Sequence, residues 1–326
     1  MIGQGNLQTR TAVIIPCYKV KESVLRVIGE IGSEVDAIFV VDDCCPEGTG
    51  DYVSEFCLDR RVVVIRHVIN QGVGGAVLSG YQAALEADCD VMVKLDGDGQ
   101  MDPSLIRKFV TPIARGDADY TKGNRFFDLE TIKSMPTIRL FGNAVLSFIT
   151  KFSSGYYHVF DPTNGYTAIS STAARMLPFS KINRRYFFES DMLFRLNTIG
   201  AVVVDVPMAA IYGDEVSNLH IRKILLPFLK GHILNCSKRV FYSYFLRGFS
   251  IASLELVVGS ALLAFGVGYG IYAWHSAAME GAFASSGNVM LSALPVILGV
   301  QLMLSFLHYD IENVPKISLT RLFRLD

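Results

Sequence analysis

The sequence lacks a charge excess of either sign. Its 30 lysines and arginines stand against 31 acidic residues, a formal net charge of −1. No global basic field is available to gather nucleic acid, so nucleic acid is not an expected partner. The six cysteines, Cys17, Cys44, Cys45, Cys57, Cys89 and Cys236, form no Cys-x-x-Cys pair, which removes the common zinc spacing. Cys44 and Cys45 are adjacent, poor geometry for an ordinary disulfide. A reduced, cytosolic setting is expected for the N-terminal part. The opening MIGQGNLQTR holds no apolar run, so no cleaved secretory signal is expected. Internal repeats and low-complexity segments are also missing.

Charge is nearly absent from two long segments. Ser250–Trp274 contains Glu255 as its one charged residue, and Asn288–His308 contains none. The mean hydropathy of the chain is +0.35, which is high for a soluble protein of this length. Each segment is long enough to cross a hydrocarbon layer of roughly 30 Å as a helix. The connector His275–Gly287 carries Glu280 and no lysine or arginine. Lys238, Arg239 and Arg247 flank the pair on one side, and Lys316, Arg321 and Arg324 on the other. This asymmetry predicts both flanks inside and the connector outside. The segment 220–248 mixes six basic residues with Leu, Phe and Tyr and has no acid. It reads as a pair of amphipathic helices lying at a lipid bilayer surface.

What is present before that is an alternating α/β pattern. Short Val- and Ile-rich runs at 11–16, 37–41, 62–66 and 91–95 alternate with helical patterns near 21–31, 50–57 and 74–87. Such alternation predicts a mostly parallel sheet covered on both faces. Ligands of such sheets sit at the carboxyl ends of the strands. Those ends carry Pro16-Cys17-Tyr18, Asp42-Asp43 and Asp96-Gly97-Asp98. The expected domains are an α/β domain over 1–219, juxtamembrane helices over 220–248, a membrane hairpin over 249–310 and a cytosolic tail over 311–326.

Three motifs carry chemistry. Asp96 and Asp98 place two carboxylates at i and i+2 after a strand, with Gln100 as a further oxygen donor. That set suits Mg2+ or Mn2+ with a diphosphate completing the shell. An EF-hand is excluded, because the position of its last ligand is Arg107. A carboxylate at Asp42 or Asp43 can accept hydrogen bonds from a base ring or ribose, or can cap a turn. Asn70-Gln71-Gly72-Val73-Gly74-Gly75 fails the dinucleotide fingerprint, because Val77 stands at its third glycine. It remains a helix start that a nucleotide can approach closely, or a tightly packed loop.

Taken together and in order, Ile15-Pro16-Cys17-Tyr18, Val41-Asp42-Asp43, Asn70-x-Gly72-x-Gly74 and Asp96-x-Asp98-x-Gln100 resemble the family 2 inverting glycosyltransferases of the GT-A fold. Lys122-Gly123-Asn124-Arg125 and Asp161-Pro162-Thr163-Asn164-Gly165-Tyr166 narrow the resemblance to polyprenyl-phosphate glycosyltransferases of the dolichyl-phosphate mannose synthase type. The resemblance covers about residues 10–220. It implies transfer of a sugar from a nucleotide diphosphate sugar, UDP- or GDP-linked, to a polyprenyl phosphate. Pro16, Tyr18, Asn70, Gly72 and Ser217 would face the donor, and Asp42 and Asp43 would hold the nucleoside. Asp96 would lie near ribose and metal, and Asp98 and Gln100 would ligate the metal. Arg125 would face phosphates, Arg139 the acceptor phosphate, and Asp161 the reacting centre. Glu189 and Asp191 fall near the family's acidic helix start. The segment around Ser217 and Asn218 reads Asp214-Glu215 where the family has basic residues. A homo-oligomer is an expectation of the family.

Rival readings are a transferase of the same fold with another acceptor, a non-catalytic membrane scaffold, and a nucleotidyltransferase. The sole tryptophan, Trp274, rules out the QxxRW signature of processive synthases. No Gly-rich basic loop follows the first strand to support nucleotidyl transfer.

Overall fold

Valine and isoleucine dominate the first four strands, and their alternate faces are covered by helices, so even the charged Lys94 is drawn inside. A computed structural model describes residues 9–127, 137–209 and 221–323. Its strands are β1 (Thr11–Cys17), β2 (Ala37–Asp42), β3 (Val62–Arg66), β4 (Val91–Lys94), β5 (Tyr120–Asn124), β6 (Thr167–Ser170) and β7 (Val203–Pro207). The order across the sheet is β3-β2-β1-β4-β6-β5-β7. The helices are α1 (Val24–Gly29), α2 (Thr49–Phe56), α3 (Val73–Glu86), α4 (Ile106–Ala114), α5 (Thr137–Ser154), α6 (Ser171–Met176), α7 (Phe188–Ile199), α8 (Ile221–Phe241), α9 (Ile251–Met279), α10 (Ser286–Glu312) and α11 (Leu319–Phe323).

The sheet is mostly parallel, as the alternating pattern predicts. One strand departs from the parallel rule. β6 runs antiparallel to both β4 and β5. The consequence is positional: the loop that leads into β6, Asp161–Tyr166, arrives at the edge where β4 and β5 end. Residues distant in sequence therefore share one rim.

Two compact units emerge, residues 1–236 with 315–326, and residues 237–314. In the first, the end of the chain is built into the α/β domain. The carboxylate of Asp119, fully buried, accepts hydrogen bonds from Leu319 N (2.9 Å), Thr320 N (3.0 Å) and Thr320 Oγ1 (3.1 Å). Val202 N also donates to it at 2.9 Å. Ser318 Oγ donates to the Gly116 carbonyl. Asp119 thus caps the start of α11.

The segment expected as a helix pair is one helix, α8, followed by a π-helical turn over Tyr242–Leu246. Pro227 and Gly231 lie inside α8 without ending it. Within the first unit, α8 docks by polar contacts: Asn235 Nδ2 donates to Asp191 Oδ1 at 3.0 Å, and His232 Nδ1 lies 2.8 Å from Ser153 Oγ.

The second unit is the helical hairpin. α9 and α10 are each long and apolar enough to cross a membrane, by length and composition. Their faces meet at small residues. A Cβ at Gly266 would stand 2.8 Å from the Ser292 carbonyl, and one at Gly299 would stand 3.0 Å from the Gly259 carbonyl, so the backbones approach closely. Within this unit Arg239 pairs with Asp310 through bonds of 2.6 and 2.8 Å, and Tyr244 Oη donates to Asp310 at 2.6 Å.

Candidate functional site

The strand tips open on a cleft of about 440 Å³, a size suited to a small-molecule ligand. Pro16, Tyr18, Asp43, Asn70, Gly72, Asp96 and Asp98 all line it. Seven of the residues singled out in the sequence are therefore brought to one cavity. Three acidic side chains, Asp43, Asp96 and Asp98, share it.

Asp42 is not in this set. Its carboxylate is turned under β2, where Cys45 N donates to Oδ1 at 2.7 Å and Gly50 N to Oδ2 at 2.6 Å. The expectation that it holds a nucleoside gives way to a cap on the turn that starts α2. Asp43 lines the cleft but is also heavily committed. His67 Nδ1 donates to its Oδ1 at 2.7 Å, Gln71 N to the same oxygen at 2.8 Å, and Gly72 N to Oδ2 at 2.8 Å. Asn70 Nδ2 donates to the Asp43 carbonyl at 3.1 Å. Asp43 therefore shapes the Asn70–Gly72 loop. Gly72 has φ +85° and a Cβ there would meet the Arg184 carbonyl at 2.6 Å, so both conformation and space demand glycine.

Asp96 and Asp98 fit a hard divalent cation by chemistry: two carboxylates two residues apart, both on the cleft, with room for water and phosphate oxygens. No group of three or more His, Cys, Asp and Glu side chains converges anywhere among the described residues, this cleft included, so a cation here would draw the rest of its shell from water and phosphate. Gln100 does not line the cleft. Its backbone N–H donates to Asp98 Oδ1 at 2.9 Å, so it supports the loop that carries Asp98.

Asp161 and Arg125 meet at the same rim but outside the residues that line the cleft. Arg125 Nε lies 2.8 Å from Asp161 Oδ2 and Nη2 lies 3.1 Å from Oδ1. Asp161 is 1% exposed, while a quarter of the Arg125 side chain reaches solvent. Arg139 falls in α5. Ser217 and Asn218 lie outside the described residues.

Several residues escaped the sequence reading. Arg185 and Tyr186 also line the cleft, from the loop before α7, with Arg185 packed against Gly72. His67 bridges Asp43 and Ser79 Oγ, the latter at 2.8 Å. Lys94, at the end of β4, pairs with Asp96 at 3.0 Å and with Glu189 at 3.7 Å. Burial pulls its pKa down, but Asp96 and Glu189 more than offset that, and it lies above the ordinary lysine value. Lys122, in the same row of the sheet through Thr167, donates to the Asn164 carbonyl. Its pKa is lowered to about 8 by burial, against the pull of Glu189 and Asp161. A lysine closing the apolar run VMVK was the available signal for Lys94, whereas Lys122 was already part of the Lys122–Arg125 motif. Asp191 is structural: Asn183 N donates to its Oδ2 at 2.8 Å and Arg195 Nε at 3.0 Å.

Residues 12–177 match the model described as glycosyl transferase family 2. A UDP-N-acetylglucosamine–dolichyl-phosphate N-acetylglucosaminyltransferase of Methanococcus voltae is 31% identical over 62% of this chain and 86% of its own length. A polyprenol monophosphomannose synthase of Mycolicibacterium smegmatis is 30% identical over 61% of this chain and 76% of its own. An undecaprenyl-phosphate mannosyltransferase of Micrococcus luteus is 30% identical over 61% and 82%. Among solved structures, mannosyl-3-phosphoglycerate synthase from Rubrobacter xylanophilus superposes with a TM-score of 0.52 at 15% identity, covering 75% of this chain and 78% of that one. Glucosyl-3-phosphoglycerate synthase from Mycobacterium tuberculosis, in complex with Mn2+, UDP and phosphoglyceric acid, gives 0.50 at 15% identity over 72% and 79%. At such identities the likeness is one of fold.

Proposed function

We propose, because the chain belongs to glycosyl transferase family 2, that it moves a sugar from a nucleotide diphosphate sugar to a polyprenyl phosphate, with inversion, at the cytoplasmic face of a membrane. One observation carries this reading: Asp43, Asp96 and Asp98 line a single cleft at the carboxyl edge of the sheet. The relatives named for dolichyl, polyprenol and undecaprenyl phosphates support the acceptor class. The two apolar helices would keep the domain beside an acceptor whose tail stays in lipid.

Asp98, with Asp96 beside it, would hold Mg2+ or Mn2+, which when bound supplies Lewis-acid neutralisation of the departing diphosphate. The neighbour crystallised with Mn2+ and UDP agrees with that donor chemistry. The loop ordered by Asp43 would shape the nucleoside end of the cleft, between Tyr18 and Gly72. Arg185, on the cleft lining beside Gly72, makes no ion pair among the described residues and is suited to meet the diphosphate.

The acceptor phosphate is already ionised near neutral pH, so attack needs no strong base. It needs cations to offset repulsion between two phosphates. Guanidinium groups match phosphate oxygens two at a time, and Arg125 and Arg139 are assigned that task. Asp161 holds Arg125 at the rim. Ser217 is assigned to the donor on the resemblance alone. A second copy of the chain is an expected partner.

The deciding experiment incubates purified full-length protein with UDP- and GDP-sugars, undecaprenyl phosphate and Mg2+ or Mn2+, and identifies the lipid product by mass spectrometry. A sugar-phosphate lipid whose formation stops in excess EDTA is expected. Formation of no lipid-linked sugar with any donor would defeat the acceptor assignment. Undiminished transfer in EDTA would defeat the cation.

A further inference from the structure

Lys94 closes β4 with its side chain 2% exposed. A buried ammonium is costly unless carboxylates answer it. Two do: Asp96 Oδ1 at 3.0 Å and Glu189 Oε1 at 3.7 Å. Asp96 belongs to the cleft, and Glu189 opens α7. The fourth member is a missing side chain. A Cβ on Gly165 would collide with Lys94 Nζ and stand 3.0 Å from Asp96 Oδ2. The backbone before β6 therefore lies flat over the ammonium and leaves it no path to solvent.

We propose that Lys94 is a positioning residue that clamps Asp96 to Glu189 and holds down the cation affinity of the Asp96-x-Asp98 pair. The proposal rests on the cation reading given above. Asp96 enters the cleft with one oxygen already held by an ammonium. A fixed positive charge one carboxylate away from the cation position repels a divalent ion through a medium of low dielectric. Glu189 counters part of that repulsion. The cation is then held tightly enough to be captured with a diphosphate and loosely enough to leave with it. Had Lys94 merely filled the core, a leucine or methionine would have served at lower cost.

The test measures Mn2+ binding to the full chain in detergent, by the electron paramagnetic resonance signal of free Mn2+, without nucleotide. K94M is expected to bind Mn2+ about tenfold more tightly, and E189Q several-fold more weakly, following the sign of the charge removed. The double variant K94M/E189Q returns toward the parent affinity. A merely structural lysine would not produce opposite shifts. If parent protein binds Mn2+ and D98A does not, but K94M and E189Q stay within twofold of the parent or shift the same way, the clamp is wrong and the cation site stands. If K94M fails to fold, E189Q decides: weaker binding supports the clamp, and unchanged or tighter binding overturns it. If the parent binds Mn2+ only with UDP or GDP present, the variants are compared in that complex; if it binds none in either state, the cation reading and the clamp fall together.

Discussion

The Arg125 guanidinium and the Asp161 carboxylate are joined by two hydrogen bonds, Nε to Oδ2 at 2.8 Å and Nη2 to Oδ1 at 3.1 Å, and Arg125 N also donates to Oδ2 at 3.3 Å. The side chain of Asp161 is 1% exposed and that of Arg125 25%. A carboxylate so engaged is a poor free base and a good anchor. The pair should behave as a unit. Asp161→Asn and Arg125→Gln are each expected to lower transfer by at least about tenfold, with a double variant no worse than the poorer single one. Breaking the pair is expected to cost about 2 kcal/mol of stability, less than a fully buried pair because Arg125 can rehydrate. Rates that multiply in the double variant would show two independent roles.

Asp42 and Asp43 are neighbours in sequence with different duties. Asp42→Ala removes the acceptor for Cys45 N and Gly50 N. It is expected to lower stability by about 1–2 kcal/mol while the donor KM stays within about threefold. Asp43→Ala frees the Asn70–Gly72 loop on the cleft wall and is expected to raise donor KM by about tenfold or more. Thermal unfolding and donor titration read the two effects separately. A donor KM that responds more to Asp42 than to Asp43 would reverse the assignment.

His232 is buried among Phe187, at 4.9 Å between ring centroids, and Phe228. Its Nε2 has no hydrogen-bond partner among the described residues. Burial lowers its pKa from 6.5 to about 4. The unfolded chain takes up this proton near pH 6.5 and the folded chain only near 4. Its contribution is therefore intact above pH 6.5 and is lost as pH falls toward 4, by up to about 3 kcal/mol. His232→Leu is expected to flatten that part of the stability profile. Ser153 stays satisfied in the variant, since its hydroxyl also donates to the Thr150 carbonyl. An identical slope in parent and variant would remove His232 from the account.

The proposed orientation rests on flanking charge. A cysteine at Ala284, in the connector between α9 and α10, is expected to react with a membrane-impermeant maleimide added outside intact cells. Cys44, exposed in the α/β domain, should react only after lysis and serves as the internal control. Labelling of both, or of Cys44 alone, before lysis would invert or abolish the proposed topology.

The parallel core was legible because valine and isoleucine runs separated by helical periods admit few other folds. The strand 62–66 begins and ends where expected. The cleft was legible because its residues follow strand ends in the sequence. What escaped was set by three-dimensional packing. Nothing in Asp42-Asp43 distinguishes the carboxylate that turns under the strand from the one that turns over it. Arg185 and Tyr186 reach the cleft from a loop more than 80 residues after Asp98, and no local pattern signals that return. Lys94 was visible only as an anomaly, a cation at the end of VMVK. The antiparallel β6, which brings Asp161 to the rim, left no periodicity unlike that of a parallel strand.

The capping of α11 by Asp119 bears on how a water-soluble version could be made. Severing the chain ahead of α9 discards more than lipid-facing helices. It deletes three of the four described donors to an interior carboxylate and would leave a desolvated anion with Val202 N–H for company. The remedy is to splice: excise the hairpin and rejoin the final segment through a polar bridge, so that Ser318–Thr320 can reseat.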